Sequence, residues 1–482
     1  MKRLLSLVLF FLLQLPIAAS AQSPNILFVY IDDMGWKDVG YMGSDFYETP
    51  TIDALASAGA VFTNAYSCAA NCAPARASLM SGQYTPRHQI FNVGTQARGR
   101  AEHRRLLHVP GTDTLDPKIK TWAHQLQAAG YATASIGKWH LSKDPCEYGF
   151  DVNIGGSQAG SPPQGYYPPH RSVAGLEDAA DDEYLTDRLS HEAIRFIEKN
   201  QERPWCVYLT HFAVHTPLDA KKELKPKYEQ KPAGELHSHV AMATMIQAVD
   251  DGLQSIVATL DKLKLRENTI IVFTSDNGGY GPATDMAPLK GYKGTYYEGG
   301  IRVPMFVNWP KKIPAKQTIT QPVTGVDIYP TICGFADAAL PAKQSADGVS
   351  LVDLLISGKP LSPRALFWHF PAYLQSYSSD WLEQRDVLFR SRPCSIIRVG
   401  DWKLHQYFES GDFELYNLKS DIGEAKDLSD VETAKREELS RILTAWQQEI
   451  GAPTQLEANP DFDKAKEAEA RNRKLRKQRK SE

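Results

Sequence analysis

Residues 25–31 read NILFVYI, and Asp32 and Asp33 follow at once. After Asn25 the run is wholly apolar, with no polar alternation. A strand covered on both faces of a parallel sheet requires this pattern, because neither face meets water. Three further runs share the plan. Tyr131–Ile136 leads into Gly137, Lys138 and His140; Trp205–Thr210 into His211 and His215; Thr269–Thr274 into Asp276 and Asn277. Helical stripes alternate with them: Leu185, Leu189, Ala193 and Phe196 share one face of residues 184–199, and Met245, Val249, Leu253, Ile256 and Leu260 one face of residues 240–263. This order predicts an α/β fold with a mixed, mostly parallel sheet between helices. Ligands of open α/β sheets bind beyond the carboxyl ends of the strands, so polar groups from four strand ends are expected to meet in one site.

The ends of the chain read differently. Lys2 and Arg3 precede an apolar run from Leu4 to Ile17, and Ala19-Ser20-Ala21 supplies a small-x-small cleavage site. Residues 1–21 therefore read as a signal peptide, too short to span a bilayer, and the mature protein is expected to be periplasmic, cell-surface or secreted. A net charge of −3 on 482 residues gives no footprint for nucleic acid. The six cysteines, Cys68, Cys72, Cys146, Cys206, Cys333 and Cys394, do not form a zinc-site spacing or a disulfide framework. Residues 151–180, rich in Gly, Pro, Ser and Tyr, read as a long loop that either shapes a pocket or lies apart from it. After about residue 360, short strands (395–399, 402–408, 413–416) and a helix from about 431 to 449 indicate a smaller C-terminal α+β subdomain. The expected division is a catalytic domain over 22–360, this subdomain over 361–455, and a disordered basic tail over 456–482. Nine Lys or Arg crowd Lys464–Lys480.

Cys72–Gly82 reads CAPARASLMSG. Pro74 suits a first helical turn, where a missing N–H costs nothing, so residues 74–81 are predicted to be helical with position 72 at the mouth. Orphan N–H groups and the helix dipole make that mouth an anion site, and Arg76 lies on the first turn. Asp32, Asp33, Asp276 and the Asn277 amide are hard oxygen donors, a set that suits Ca2+ better than Zn2+.

In order, the motifs Asp32-Asp33, Cys72-x-Pro74-x-Arg76, GKWHL (137–141), HTP (215–217), SDNGG (275–279) and KGTYYEGG (293–300) resemble those of the sulfatase family, as do the GDWKL and ELYNL segments near the C-terminus. The resemblance covers most of residues 23–450. It implies an alkaline-phosphatase-like core and a calcium-dependent hydrolase of sulfate esters. It also implies that a formylglycine-generating enzyme oxidises Cys72 to Cα-formylglycine (3-oxoalanine). Ala75 stands where many members carry Ser, while the Cys-x-Pro-x-Arg core is intact. Calcium then falls to Asp32, Asp33, Asp276, Asn277 and the modified Cys72. Arg76 orients or stabilises the ionised hydrate, and Lys138 and Lys293 bind sulfate. His215 or Lys293 protonates the departing alcohol, and His140 takes the proton from the second hydroxyl. Three carboxylates and a divalent ion leave one negative charge, against three positive charges on Arg76, Lys138 and Lys293, so the site favours an anionic ester.

The expected substrate is a sulfated carbohydrate, a galactan, carrageenan-type or glycosaminoglycan fragment, which an exported enzyme would meet. Trp368, His369, Phe370 and Tyr373 form an aromatic group that either lines a sugar pocket or is structural. Two other readings remain: a phosphodiesterase or phosphonate hydrolase of the same superfamily, and a glycan-binding pseudoenzyme.

Overall fold

The computed structural model describes residues 23–170, 172–176, 180, 182–377 and 385–481, so the expected signal peptide lies outside the described residues. Its centre is an eight-stranded sheet. In spatial order the strands are Val152–Ile154, Ala132–Gly137, Trp205–Thr210, Asn25–Ile31, Thr269–Ser275, Met305–Asn308, Ala60–Phe62 and Gln317–Ile319. The four apolar runs are four adjacent strands, all parallel to one another. Met305–Asn308 runs antiparallel to both its neighbours, which makes the sheet mixed.

Asn25–Ile31 shows why such a run must be apolar throughout. Leu27, Val29 and Ile31 enter one core with Leu189 and Met245; Ile26, Phe28 and Tyr30 enter the other with Ala77 and Trp122. Each large side chain buried this way contributes about 1.5–3 kcal/mol. The helices Leu185–Lys199 and Val240–Lys262 cover the first face, and the helix Cys72–Ser81 packs on the second. Among the described residues no helix is long and apolar enough to cross a membrane.

A second sheet, antiparallel throughout, orders Ala365–Phe370, Cys394–Val399, Trp402–Tyr407 and Phe413–Asn417. Leu439, Leu443 and Trp446 of the helix Thr433–Ile450 pack on its Ile397, Leu404 and Leu415. Trp368, His369, Phe370 and Tyr373 are buried; Trp368 and Phe370 belong to a core cluster, so this aromatic group is structural.

The basic tail differs from expectation. Lys464–Ser481 is a helix, and its hold on the body comes from residues that the basic run obscures. Glu467 meets Arg392 at 2.8 Å and Arg105 at 3.3 Å, and Ala470 is buried. Just upstream, Asn459 donates to the carbonyls of Ala101 and Arg104.

Buried ion pairs tie the two sheets together. Lys403 lies 3.0 Å from both Glu298 and Glu424, and Arg302 lies 3.0 Å from Glu298. Nearby, Glu414 accepts from Tyr297 (2.7 Å) and Arg385 (2.7 Å). Burial opposes its charge, yet His405, Tyr297 and Arg385 outweigh burial and hold its carboxyl down to about 2. A carboxyl depressed on folding stabilises above its unfolded pKa, and that stability is lost as pH falls through the folded value. The His405 part of the pull exists only in acid, because burial keeps that imidazole below the ordinary histidine range. Near neutrality Glu414 contributes on the order of 2 kcal/mol. In a melting series from pH 7 to pH 3, Glu414→Gln is expected to lower Tm at pH 7 and to shrink the gap between the two pH values. A gap as wide as in the parent would contradict this.

Candidate active site

Parallel strands bring their ends to one edge, and the acidic groups meet there. Asp276 N–H donates to Ile31 O at 3.0 Å, and Asp33 N–H donates to Asp276 Oδ1 at 3.1 Å. Asp33 holds a left-handed φ of 61°, which costs a non-glycine residue about 1 kcal/mol. The helix Cys72–Ser81 starts two residues earlier than predicted, so Pro74 is its third residue and its missing N–H still falls among the orphans. Asn71 caps the helix without a side-chain hydrogen bond, which leaves the first turn open to a ligand. Asp32, Asp33, Cys72 and Asp276 place ligand atoms within 4.8 Å of one another.

Each carboxylate of this group faces a lysine or an arginine. Lys138 Nζ lies 2.5 Å from Asp32, Lys293 Nζ 2.7 Å from Asp33, and the Arg76 guanidinium 2.9 Å from Asp276. Arg76 is wholly buried; its Nε donates to Asp276 Oδ2 (3.0 Å), and its Nη1 to Lys138 O (3.0 Å) and Thr210 Oγ1 (2.5 Å). It therefore fixes Asp276 and the end of a neighbouring strand.

The titration of these groups describes the field. Burial and Cys72 push Asp32 above the ordinary carboxylate range; burial and Asp32 do the same to Asp276. Asp33 is held low, because Lys293 and His215 outweigh burial. Cys72 falls to about 6: burial opposes, but Lys138 and Lys293 prevail. The Sγ position, which stands in for the oxygens of an aldehyde hydrate, thus lies in a field that favours negative charge.

The donor set suits a hard cation. Asn277 Nδ2 donates to Asp33 Oδ1 (2.8 Å) and Gly278 O (2.9 Å), while its Oδ1 is buried without a partner. A buried amide oxygen without a donor, beside three crowded carboxylates, fits an oxygen-seeking divalent ion.

The two histidines flank the cluster. His215 Nδ1 lies 2.8 Å from Thr216 O, which leaves Nε2 toward Asp33 Oδ2 at 3.8 Å. Burial and Lys293 would lower its pKa, but Asp32, Asp33 and Cys72 raise it above the histidine norm. His140 is held low by burial and by Lys138, Arg76, His215 and Lys293, so it is neutral. The side chains of His215 and Lys293 are 18% and 12% exposed, whereas His140 is 6% exposed and the acidic cluster at most 1%. His211 is buried, and burial holds its imidazole down to about 3.

The long loop supports both histidines. Ser157 O accepts from His140 N–H (2.8 Å), and a side chain at Gly160 would strike the His140 ring at 2.6 Å. Tyr166 donates to Phe212 O (2.7 Å) and His215 O (2.8 Å).

Sequence reasoning missed Thr210, legible only as the last residue of its strand. It also missed Tyr280, Tyr377 and Arg390 around Lys293, and Arg98 in the loop whose Gly99 abuts Phe389. No local signal marks them: Arg98 sits in a basic loop, and Arg390 lies far along the chain.

The family model described as Sulfatase matches residues 24–338, and that described as N-sulphoglucosamine sulphohydrolase, C-terminal, matches residues 292–449. A sulfatase of Formosa agariphila is 30% identical over 94% of this chain and 95% of its own length. Human N-acetylgalactosamine-6-sulfatase is 27% identical over 92% of this chain and 89% of its own. The crystal structure of Ps i-CgsB in complex with k-i-k-neocarrahexaose superposes with a TM-score of 0.73, at 29% identity, over 94% of this chain and 99% of that one.

Proposed function

Because the chain belongs to the sulfatase family and is a sulfuric ester hydrolase, we propose that it removes sulfate from a sulfated polysaccharide or its fragments outside the cytoplasm. Cys72, converted to Cα-formylglycine, is the nucleophile in this reading, and Ca2+ is held by Asp32, Asp33, Asp276, Asn277 and the modified residue. The carbohydrate preference draws support from the relatives, one a hexosamine sulfatase and one crystallised with a carrageenan fragment. The leader-like residues 1–21 support export. The same division of labour assigns catalysis to residues 22–360.

One observation carries the reading: the side chain of residue 72 sits at an uncapped helix mouth, beside three carboxylates that each face a cation. When bound, Ca2+ supplies the positive charge that acidifies the nucleophile and gathers the sulfate oxygens. Lys138 and Lys293 hold negative charge at position 72. His215 or Lys293, site cations that reach solvent, donates the proton to the departing alcohol oxygen. His140, neutral and enclosed, accepts the proton released at position 72. Arg76 acts by holding Asp276.

Peptide mass spectrometry is the direct test. The Cys72 peptide from protein made alongside a maturation enzyme is expected to be about 18 Da lighter than the thiol form; an unmodified thiol in an active preparation would overturn the assignment. A second expectation concerns the ion. Dialysis against a chelator should abolish turnover and lower Tm, and Ca2+ should restore both. At a hundredfold excess over Kd the ion adds about 3 kcal/mol. An unchanged melting curve would remove calcium from the account.

A further inference from the structure

Arg390, beside Lys293, and Arg98, in the loop that follows Asn92, lack a counterion among the described residues. Arg390, in the strand Phe389–Ser391, donates through Nη1 to Lys293 O (3.1 Å) and through Nε to Gln375 O (3.0 Å). Its Cζ lies 3.9 Å from the Tyr377 ring centroid. Arg98 donates through Nη2 to Val93 O (2.7 Å). Among the described residues neither forms an ion pair, and no carboxylate bonds to either.

The loop carrying Arg98 spans from the nucleophile to Arg390. At one end Asn92 Oδ1 accepts from Asn71, the residue before Cys72, at 2.8 Å. At the other end Gly99 lies against Phe389, where an added Cβ would come within 2.6 Å of the ring. The charges are felt across this gap. Burial and Arg390 hold Arg98 below the ordinary arginine range, while Cys72 pulls it the other way. Tyr377 in turn stacks on Tyr292 (centroids 5.7 Å apart) and meets Tyr280 edge-on (5.4 Å), so an aromatic wall adjoins the two cations.

Arg98 and Arg390 flank the contact between Gly99 and Phe389, and two half-buried cations brought this near repel unless an anion joins them. Their place beside the mouth, outside the carboxylate cluster, leaves them free for a substrate group other than the scissile ester. We propose that Arg98 and Arg390 form a second anion subsite, which takes a further sulfate or a carboxylate of the same oligosaccharide. This rests on the reading above, in which the scissile sulfate occupies the mouth at residue 72. It makes the enzyme selective for glycans carrying more than one negative charge per short segment. The planar fork of arginine suits either oxyanion, and the aromatic wall suits the apolar face of a sugar ring.

The test compares oligosaccharides of one length that carry the scissile sulfate alone, with a second sulfate, or with a uronate carboxylate. The parent enzyme is expected to favour one doubly charged substrate by roughly tenfold or more in kcat/KM. In Arg98→Gln and Arg390→Gln that ratio should collapse, mainly through KM, and Arg98→Lys should recover part of it. Which doubly charged substrate loses most identifies the anion. A parallel loss on all three substrates, with the ratio intact, would overturn the subsite. Calorimetric binding of the same compounds to Cys72→Ala and to Cys72→Ala/Arg98→Gln reads the subsite without turnover. It should show roughly tenfold weaker binding of the doubly charged ligand in the double variant, and equal binding would overturn the proposal. If Cys72→Ala still hydrolysed the esters, the nucleophile assignment would fall instead, and the binding comparison would still decide the subsite.

Discussion

Cys72→Ala is expected to abolish sulfate-ester turnover, by at least about 10⁴-fold, while leaving the protein folded. Both halves follow from the position. Residue 72 opens a buried helix, and its Sγ donates to Asp32 at a long 3.5 Å. Alanine is a good helix former and leaves no hydrogen bond broken that the fold depends on. The chemistry has no substitute. Ser67, Ser78 and Ser81 are the nearest serines in sequence, and each donates to a protein acceptor or bonds a buried histidine away from the cluster. An initial-rate assay on a sulfated oligosaccharide, with circular dichroism and melting beside it, reads the two halves separately. Undiminished hydrolysis would remove the nucleophile; a lost fold would remove the claim that its role is chemical.

Lys403→Met is expected to cost about 3–5 kcal/mol of stability, the range for stripping one partner from a buried ion pair. Lys403 is fully buried between Glu298 and Glu424. Burial opposes the charge on Glu298, and Lys403, Arg302 and Arg398 outweigh it, so the carboxylate stays ionised; without Lys403 it keeps Arg302, while Glu424 loses the lysine it faces at 3.0 Å. An exposed pair such as Lys359–Asp353 is the control, worth at most about 1 kcal/mol. The damage should reach the site. Glu298 opens the turn Glu298–Ile301, in which Gly299 N–H bonds Lys290 O (2.8 Å) and Gly300 O accepts from Gly278 N–H (2.9 Å). Loosening that turn frees Lys293 on one side and Asn277 on the other. Urea titration should show the lost stability, and thermal inactivation should come earlier. A stability within 1 kcal/mol of the parent would mean that the network is dispensable.

Much of the core was legible along the chain. Asn25–Ile31 and Trp205–Thr210 are strands over the residues read from their apolar runs, and the residues after them supply the acidic and cationic groups. The helix after Cys72 was legible from Pro74 and the small residues, apart from its two-residue earlier start. The aromatic group at 368–373 and the basic tail were open or misread for one reason. Burial depends on what comes to lie opposite, and neither the partner strand Cys394–Val399 nor Arg392 and Arg105 can be known from those segments alone.

Local order along the chain by itself determined the apolar strands, the helix mouth at residue 72 and the identity of the donors, because periodicity and helix-end chemistry act over a few residues. Only the tertiary structure decided which cation meets which carboxylate, why Lys403 in a C-terminal strand answers Glu298, and that Gly99 and Phe389 bring Arg98 and Arg390 together. Electrostatic pairing depends on distance in space, and these partners are separated by up to hundreds of residues.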